Sequence, residues 1–179
     1  QYEKIKDEID AAVLSVVRSA AYIRGAEVSG LENELKSYLG IKNVISCGNG
    51  TDALQIALMA LELKPGDEVI TTSFTFIATV EVIALLGLTP VFADVDPDTF
   101  NIDPLQIEKA ITGKTKAIIP VHLYGQCANM EAIMDIAVKN GLHVIEDAAQ
   151  ALSADYTFQN GTSKKAGTIG HIGCTSFFP

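Results

Sequence analysis

Apolar residues recur at helical spacing at Ile5, Ile9, Ala12, Val13, Val16 and Val17, which predicts an amphipathic helix over residues 3–19. The stretch from Tyr22 to Gly30 reads as a loop. Leu31, Leu35, Tyr38 and Leu39 predict a second helix, stopped by Gly40. Beyond Gly40 the rhythm changes. Short β-branched runs at 44–47, 68–72, 90–93, 116–121, 142–146 and 172–177 predict strands. Helical stretches at 52–63, 76–86, 103–111 and 129–140 lie between them, with turn signals at Pro65-Gly66 and Asp96-Pro97-Asp98. Continuous apolar strands alternating with helices predict a parallel sheet covered on both faces, doubly wound or closed into a barrel. Only residues 155–168 break the pattern. They are polar, and Asn160-Gly161 marks a surface hairpin between two core strands.

Composition narrows the class. The 179 residues are 48% apolar, as expected for about one globular domain and not for a disordered chain. Thirteen Lys and Arg against 22 Asp and Glu give a net charge of −9, which argues against nucleic acid and anionic membrane surfaces as partners. A phosphorylated small molecule remains compatible, because backbone N–H groups hold phosphate without a cationic side chain. No apolar run reaches the roughly 18–20 residues that span a bilayer. The charged start QYEKIKDEID has no apolar signal segment, and no initiator Met precedes it, so the chain is expected to be processed, trimmed or incomplete there. Cys47, Cys127 and Cys174 are odd in number and far apart, which disfavours a disulfide framework or a metal ribbon and predicts a reducing, cytoplasmic setting with no bound metal.

In such sheets ligands gather at the carboxyl ends of the strands. After the run at 44–47 comes Gly48-Asn49-Gly50-Thr51-Asp52 and an apolar helix, an anion site built from unpaired first-turn N–H groups and the helix dipole. The competing reading makes Thr51 or Asp52 simply the helix cap. Neither the dinucleotide fingerprint nor the Walker motif is present. After 68–72 come Phe74 and Phe76, which could face a planar ligand or pack into the core. The run VIEDAAQA ends a buried strand in two carboxylates, Glu146 and Asp147, with Gln150 beyond. One carboxylate there could hold a heteroaromatic nitrogen protonated; a cap or a structural ion pair is the alternative. Ser176 is a second potential phosphate donor. Together these features fit pyridoxal phosphate. Of the three histidines, His122 could approach this rim, while His143, within a buried strand, and His171 read as structural.

The segments GNGTDALQIAL, PGDEVIT, TFIAT, FADVDPDTFNIDP, AIIPVHLYGQ, VIEDAAQA and CTSFFP, in this order, resemble the DegT/DnrJ/EryC1/StrS sugar aminotransferases. The resemblance runs over essentially the whole chain. It implies a three-layer, aspartate-aminotransferase-like large domain over residues 1–179 with a mostly parallel sheet, incomplete at its carboxyl end. It also implies pyridoxal 5'-phosphate as cofactor. Gly50, Thr51 and Asp52 match the phosphate-cradling turn, Phe76 the aromatic on the pyridine ring, and Asp147 the carboxylate on the ring nitrogen. Gln150 matches the residue at the ring hydroxyl and Ser176 a hydroxyl on the phosphate. Tyr22 to Gly25 resembles a loop near the sugar, although Ala26 stands where many relatives have Pro. The Schiff-base lysine of the family falls two residues beyond Pro179, so the 179 residues alone are expected to be inactive.

The implied reaction of the parent protein moves the amino group of L-glutamate to a nucleotide-linked keto sugar, with wording closest to enzymes acting on a UDP-3-keto sugar. The implied assembly is a homodimer. A sugar 3-dehydratase of the same family and a non-catalytic, cofactor-binding relative are the alternatives.

Overall fold

In a computed structural model, residues 2–177 are described, so Phe178 and Pro179 of the CTSFFP run lie outside the described residues. The chain forms two compact units, residues 1–46 and 47–179.

The first unit is helical. Helix α1 spans Tyr2–Ser19 and α2 spans Ala26–Leu39; neither has a fully buried residue. Helix α2 begins five residues earlier than the apolar spacing indicated. Gly25 supplies an extended N-cap, and Gly30 sits inside the helix with open space around it. Gly40 closes α2 in the left-handed region (φ 66°), where a side chain would be strained. The strand expected at 44–47 does not form. Ser46 gives both its backbone N–H and its hydroxyl to Glu32 Oε1, at 3.0 and 2.9 Å, so that donor is unavailable for a ladder. Ile45, 76% exposed, has no core to enter.

The second unit carries the sheet. Helix α3 (Gly50–Ala60) precedes β1 (Glu68–Thr72), followed by α4 (Ala78–Leu85), β2 (Thr89–Ala93), α5 (Pro104–Ala110) and β3 (Thr115–Ile119). Helix α6 (Met130–Asn140), β4 (His143–Asp147), β5 (Asp155–Thr157), β6 (Ser163–Lys165) and β7 (Ile172–Cys174) complete it. Five strands form a parallel sheet in the order β2-β1-β3-β4-β7, open and not closed into a barrel. The predicted excursion is the antiparallel pair β5–β6, whose turn includes Gly161 at φ 82°.

The two-residue period of the strands sorts side chains onto two cores. Ile70, Ile118 and Val144 join residues of α5 and α6, such as Ile107 and Ile133. Val69, Ile119 and Ile145 join residues of α3 and α4, such as Leu58 and Val82. The sheet is therefore covered on both faces, as the continuous apolar runs required. Three sequence expectations need correction. The sixth strand ends at Cys174, not Phe177, because its partner β4 ends at Asp147, opposite Cys174. The run at 116–121 is ladder-paired only to Ile119, with Val121 bridging Asp147 alone. His143 opens β4 on its exposed side and is not buried; its ring meets that of His171 edge-on at 5.4 Å.

Candidate functional site

Strand order reverses at β1: the chain passes from β1 outward to β2 and returns to β3 on the other side. The carboxyl ends around such a switch point form the crevice where α/β sheets bind ligands. Three groups of candidate residues stand at these ends.

The first is the turn before α3. The cap is Asn49, and neither Thr51 nor Asp52 holds that position. The Asn49 side chain accepts the Asp52 N–H at 2.9 Å and donates to the Asp52 carboxylate at 3.1 Å. That reciprocal arrangement uses both the N–H and the carboxylate of Asp52, so Asp52 fixes the shape of the turn. Among the described residues, no acceptor is seen for the N–H groups of Gly50 and Thr51, the first two of the helix. Ser176, after β7, comes so close that a Cβ on residue 50 would lie 2.8 Å from its Cβ and 3.1 Å from its hydroxyl. Only glycine leaves that gap open. Gly50 and Ser176 thus converge, although they are far apart in sequence.

The second is Asp147, the last residue of β4 and 5% exposed. It lies on the α4 side of the sheet. Thr79 of α4 donates its hydroxyl to Oδ2 at 2.8 Å, and the Ala149 N–H reaches Oδ1 at 3.2 Å. Burial pushes the Asp147 carboxyl above its ordinary value, and these two donors only partly offset it. A buried carboxylate so lightly solvated favours a positive neighbour.

The third is the exposed rim. Phe76 follows β1 with 69% of its surface open, and Phe74 pairs with Phe100 at 5.6 Å between ring centres. Gln150 accepts the N–H of Tyr124 at 2.8 Å and so supports a 3-10 turn (Leu123–Gly125) in which Tyr124 stands at φ 54°. Phe100, at φ 59°, is likewise left-handed. Bulky residues rarely adopt that region, and such outliers gather at functional sites. No motif or spacing in the sequence marks these two strained aromatics.

His122 does not reach this rim. It is fully buried, with Nε2 at 2.8 Å from Glu146 Oε2. A separate cavity of about 710 Å3, lined by Asp103, Cys127 and Tyr156 among others, contains none of the candidate residues. No cluster suited to a metal ion occurs among the described residues, and no helix there is long and apolar enough to cross a membrane.

The residues present fit a flat, phosphorylated, cationic-ring cofactor. The Gly50 gap and its two open N–H groups suit a phosphate, and Asp147 suits a protonated ring nitrogen. The fold is that of pyridoxal-phosphate-type aminotransferases. The chain belongs to the DegT/DnrJ/EryC1/StrS aminotransferase family, whose model matches residues 3–179; aminotransferases of this family depend on pyridoxal phosphate.

Over 179 residues it is 54% identical to the UDP-2-acetamido-2-deoxy-3-oxo-D-glucuronate aminotransferase of Pseudomonas aeruginosa, covering 100% of this chain and 48% of that protein. It is 56% identical over 179 residues to a pleiotropic regulatory protein of Geobacillus stearothermophilus, covering 100% of this chain and 47% of that one. The crystal structure of a DegT DnrJ EryC1 StrS aminotransferase from Brucella abortus superposes with a TM-score of 0.93 at 45% identity, over 100% of this chain and 48% of that one. The chain therefore spans about half the length of the relatives it matches.

Proposed function

We propose that residues 1–179 are the cofactor-binding part of a pyridoxal-phosphate-dependent aminotransferase that moves the amino group of L-glutamate to a nucleotide-linked keto sugar. The sugar class favoured is a UDP-3-keto sugar, because a relative named for that chemistry is 54% identical along the whole chain. The observation that carries the reading is the buried Asp147 carboxylate, held by Thr79 and Ala149 at the end of β4.

Asp147 would accept the ring N–H and keep that nitrogen protonated. Gly50 and Thr51 would donate backbone N–H groups to the phosphate, and Ser176 its hydroxyl. Asn49 and Asp52 hold that turn in shape. Phe76 would cover one face of the ring and exclude water from it. Gln150 would stand at the ring hydroxyl while fixing the Tyr124 turn. Bound there, the cofactor would supply the electron sink that amine exchange requires.

A second copy of the protein is the partner this reading implies. The exposed rim aromatics, Phe76 at 69% and Tyr124 at 76%, support a face covered by another chain, which light scattering on the full-length protein tests. The three free thiols support a reducing, cytoplasmic setting.

The test is an absorbance spectrum of the full-length protein with pyridoxal phosphate, before and after L-glutamate. A visible band that glutamate bleaches supports the reading. Asp147→Asn is expected to abolish turnover while circular dichroism stays unchanged. A regulatory, non-catalytic role is the second reading, favoured by the name of the 56% identical relative; a band that persists with glutamate selects it.

A further inference from the structure

Directly before Asp147, Glu146 points to the opposite face of the sheet and is fully buried. Four donors surround its carboxylate. The backbone N–H groups of Ile169 and Gly170 reach Oε1 at 2.6 and 2.5 Å, and that of Gly167 reaches Oε2 at 2.8 Å. His122 Nε2 is 2.8 Å from the same Oε2. The other ring nitrogen of His122, Nδ1, accepts the N–H of Ala128 at 3.1 Å. An accepting Nδ1 carries no proton, so the hydrogen sits on Nε2 and the ring is neutral. The contact is a hydrogen bond from a neutral imidazole to a carboxylate.

These bonds converge on the candidate site from behind. The loop 167–170 leads into β7, and the Cys174 carbonyl at the end of β7 accepts the Ala148 N–H at 2.8 Å. Two residues on stands Ser176. The His122 N–H bonds the Asp147 carbonyl, and the Asp147 N–H bonds the Pro120 carbonyl, both at 2.9 Å. One carboxylate therefore ties together the segment that carries Ser176, the turn after β3, and the strand that carries Asp147.

We propose that Glu146, with His122 as its neutral Nε2–H donor, is a positioning residue that sets the spacing between the ring end of the site at Asp147 and its phosphate end at Gly50 and Ser176. The proposal rests on the cofactor reading above. A ligand gripped at both ends is sensitive to that spacing, so loosening the tie weakens binding even where the chain stays folded.

The test uses the full-length protein. In the cofactor-free wild type, 15N shifts of the His122 ring are expected to show the neutral Nε2–H form at pH 7; an imidazolium or an Nδ1–H ring overturns the clamp. Glu146→Gln turns an amide group toward one of the four donors, and His122→Asn keeps an oxygen for Ala128 while withdrawing the donor from Glu146. In Glu146→Gln the dissociation constant for pyridoxal phosphate is expected to rise about tenfold, and in His122→Asn about threefold. Removing a buried negative charge from behind the site is also expected to move the titration of the bound cofactor's visible band to lower pH in Glu146→Gln.

Should either variant lose stability yet keep wild-type affinity and band titration, the role is structural and the proposal falls. If Glu146→Gln does not fold, the His122→Asn affinity and the wild-type ring shifts decide. A wild type that binds no pyridoxal phosphate sinks the cofactor reading and the positioning role with it, and the ring shifts then still report whether the clamp exists.

Discussion

Glu146 and Asp147 are consecutive, buried carboxylates on one strand, and their carboxyls are shifted in opposite directions from the ordinary range. Burial raises both. Around Glu146, the His122 and backbone donors outweigh burial and hold its carboxyl below the ordinary range. Around Asp147, one hydroxyl and one N–H leave it above. The α5–α6 face of the sheet therefore offers a finished, self-sufficient ion site, while the α3–α4 face offers an unfinished one. A chain gains no stability from leaving a carboxylate half solvated in its interior. The asymmetry is what a site looks like when its last partner is a ligand.

The largest expected effect comes from removing the finished side. Glu146→Ala orphans three backbone N–H groups and the His122 ring N–H in a dry interior. A loss of about 3–5 kcal/mol in unfolding free energy is expected, read by urea titration of the full-length protein. A loss below about 1 kcal/mol would show that water enters behind β4, and the contrast between the two faces would collapse.

Thr79→Val probes the unfinished side. The substitution keeps the shape and removes the better of the two donors to Asp147. The expected cost is about 1–3 kcal/mol, with the Asp147 carboxyl rising further, followed by its 13C shift against pH. If that carboxyl does not rise, burial is not what governs it.

How far the sequence carried these distinctions depends on their range along the chain. Strand–helix alternation gave the parallel sheet because each run is local and its period is visible. VIEDAAQA showed two carboxylates at the end of a buried strand, and Asp147 and Gln150 stand at that end. Which carboxylate faced which side was invisible, since it depends on a loop more than twenty residues further on and on a histidine 24 residues back. The convergence of Gly50 and Ser176 was hidden for the same reason. Val44–Cys47 looked like a strand because Val44, Ile45 and Cys47 are apolar and the first two are β-branched. Pairing decides strands, and Ser46 spends its donor on Glu32. The cap of α3 was within reach: Asn49 three residues before Asp52 is a reciprocal capping pair, two or three residues ahead of the cap expected at Thr51 or Asp52. Asn49→Ala is expected to cost about 1 kcal/mol on that account, measurable by thermal melting.

The smallest expected effect, Asp147→Asn, is the most telling because its sign opposes the rest. Asparagine keeps an oxygen for Ala149, and the Thr79 hydroxyl can turn to accept from the amide. In the cofactor-free protein the variant is expected to be more stable than wild type at pH 7, by under about 1 kcal/mol, because it removes a charge that burial disfavours. The pH dependence follows from linkage. Asp147 has its folded value raised above the ordinary 3.8, so the folded state holds a proton that the unfolded state has released. Wild-type stability therefore falls as pH rises from about 3.8 through the raised value, and the advantage of Asp147→Asn opens over that window. Glu146 runs the other way. Its folded value lies below the ordinary 4.5, so its contribution is complete above that pH and is lost as pH falls through the folded value. Urea titrations between pH 3 and 8 should thus show the Glu146→Gln deficit shrinking in acid while the Asp147→Asn advantage shrinks in acid too, two differences of opposite sign closing together. An Asp147→Asn protein that is less stable at pH 7, with a deficit widening as pH rises, would mean that Asp147 is already fully solvated by the protein. The α3–α4 face would then be as complete as the other, and no cationic ligand would be needed to finish it.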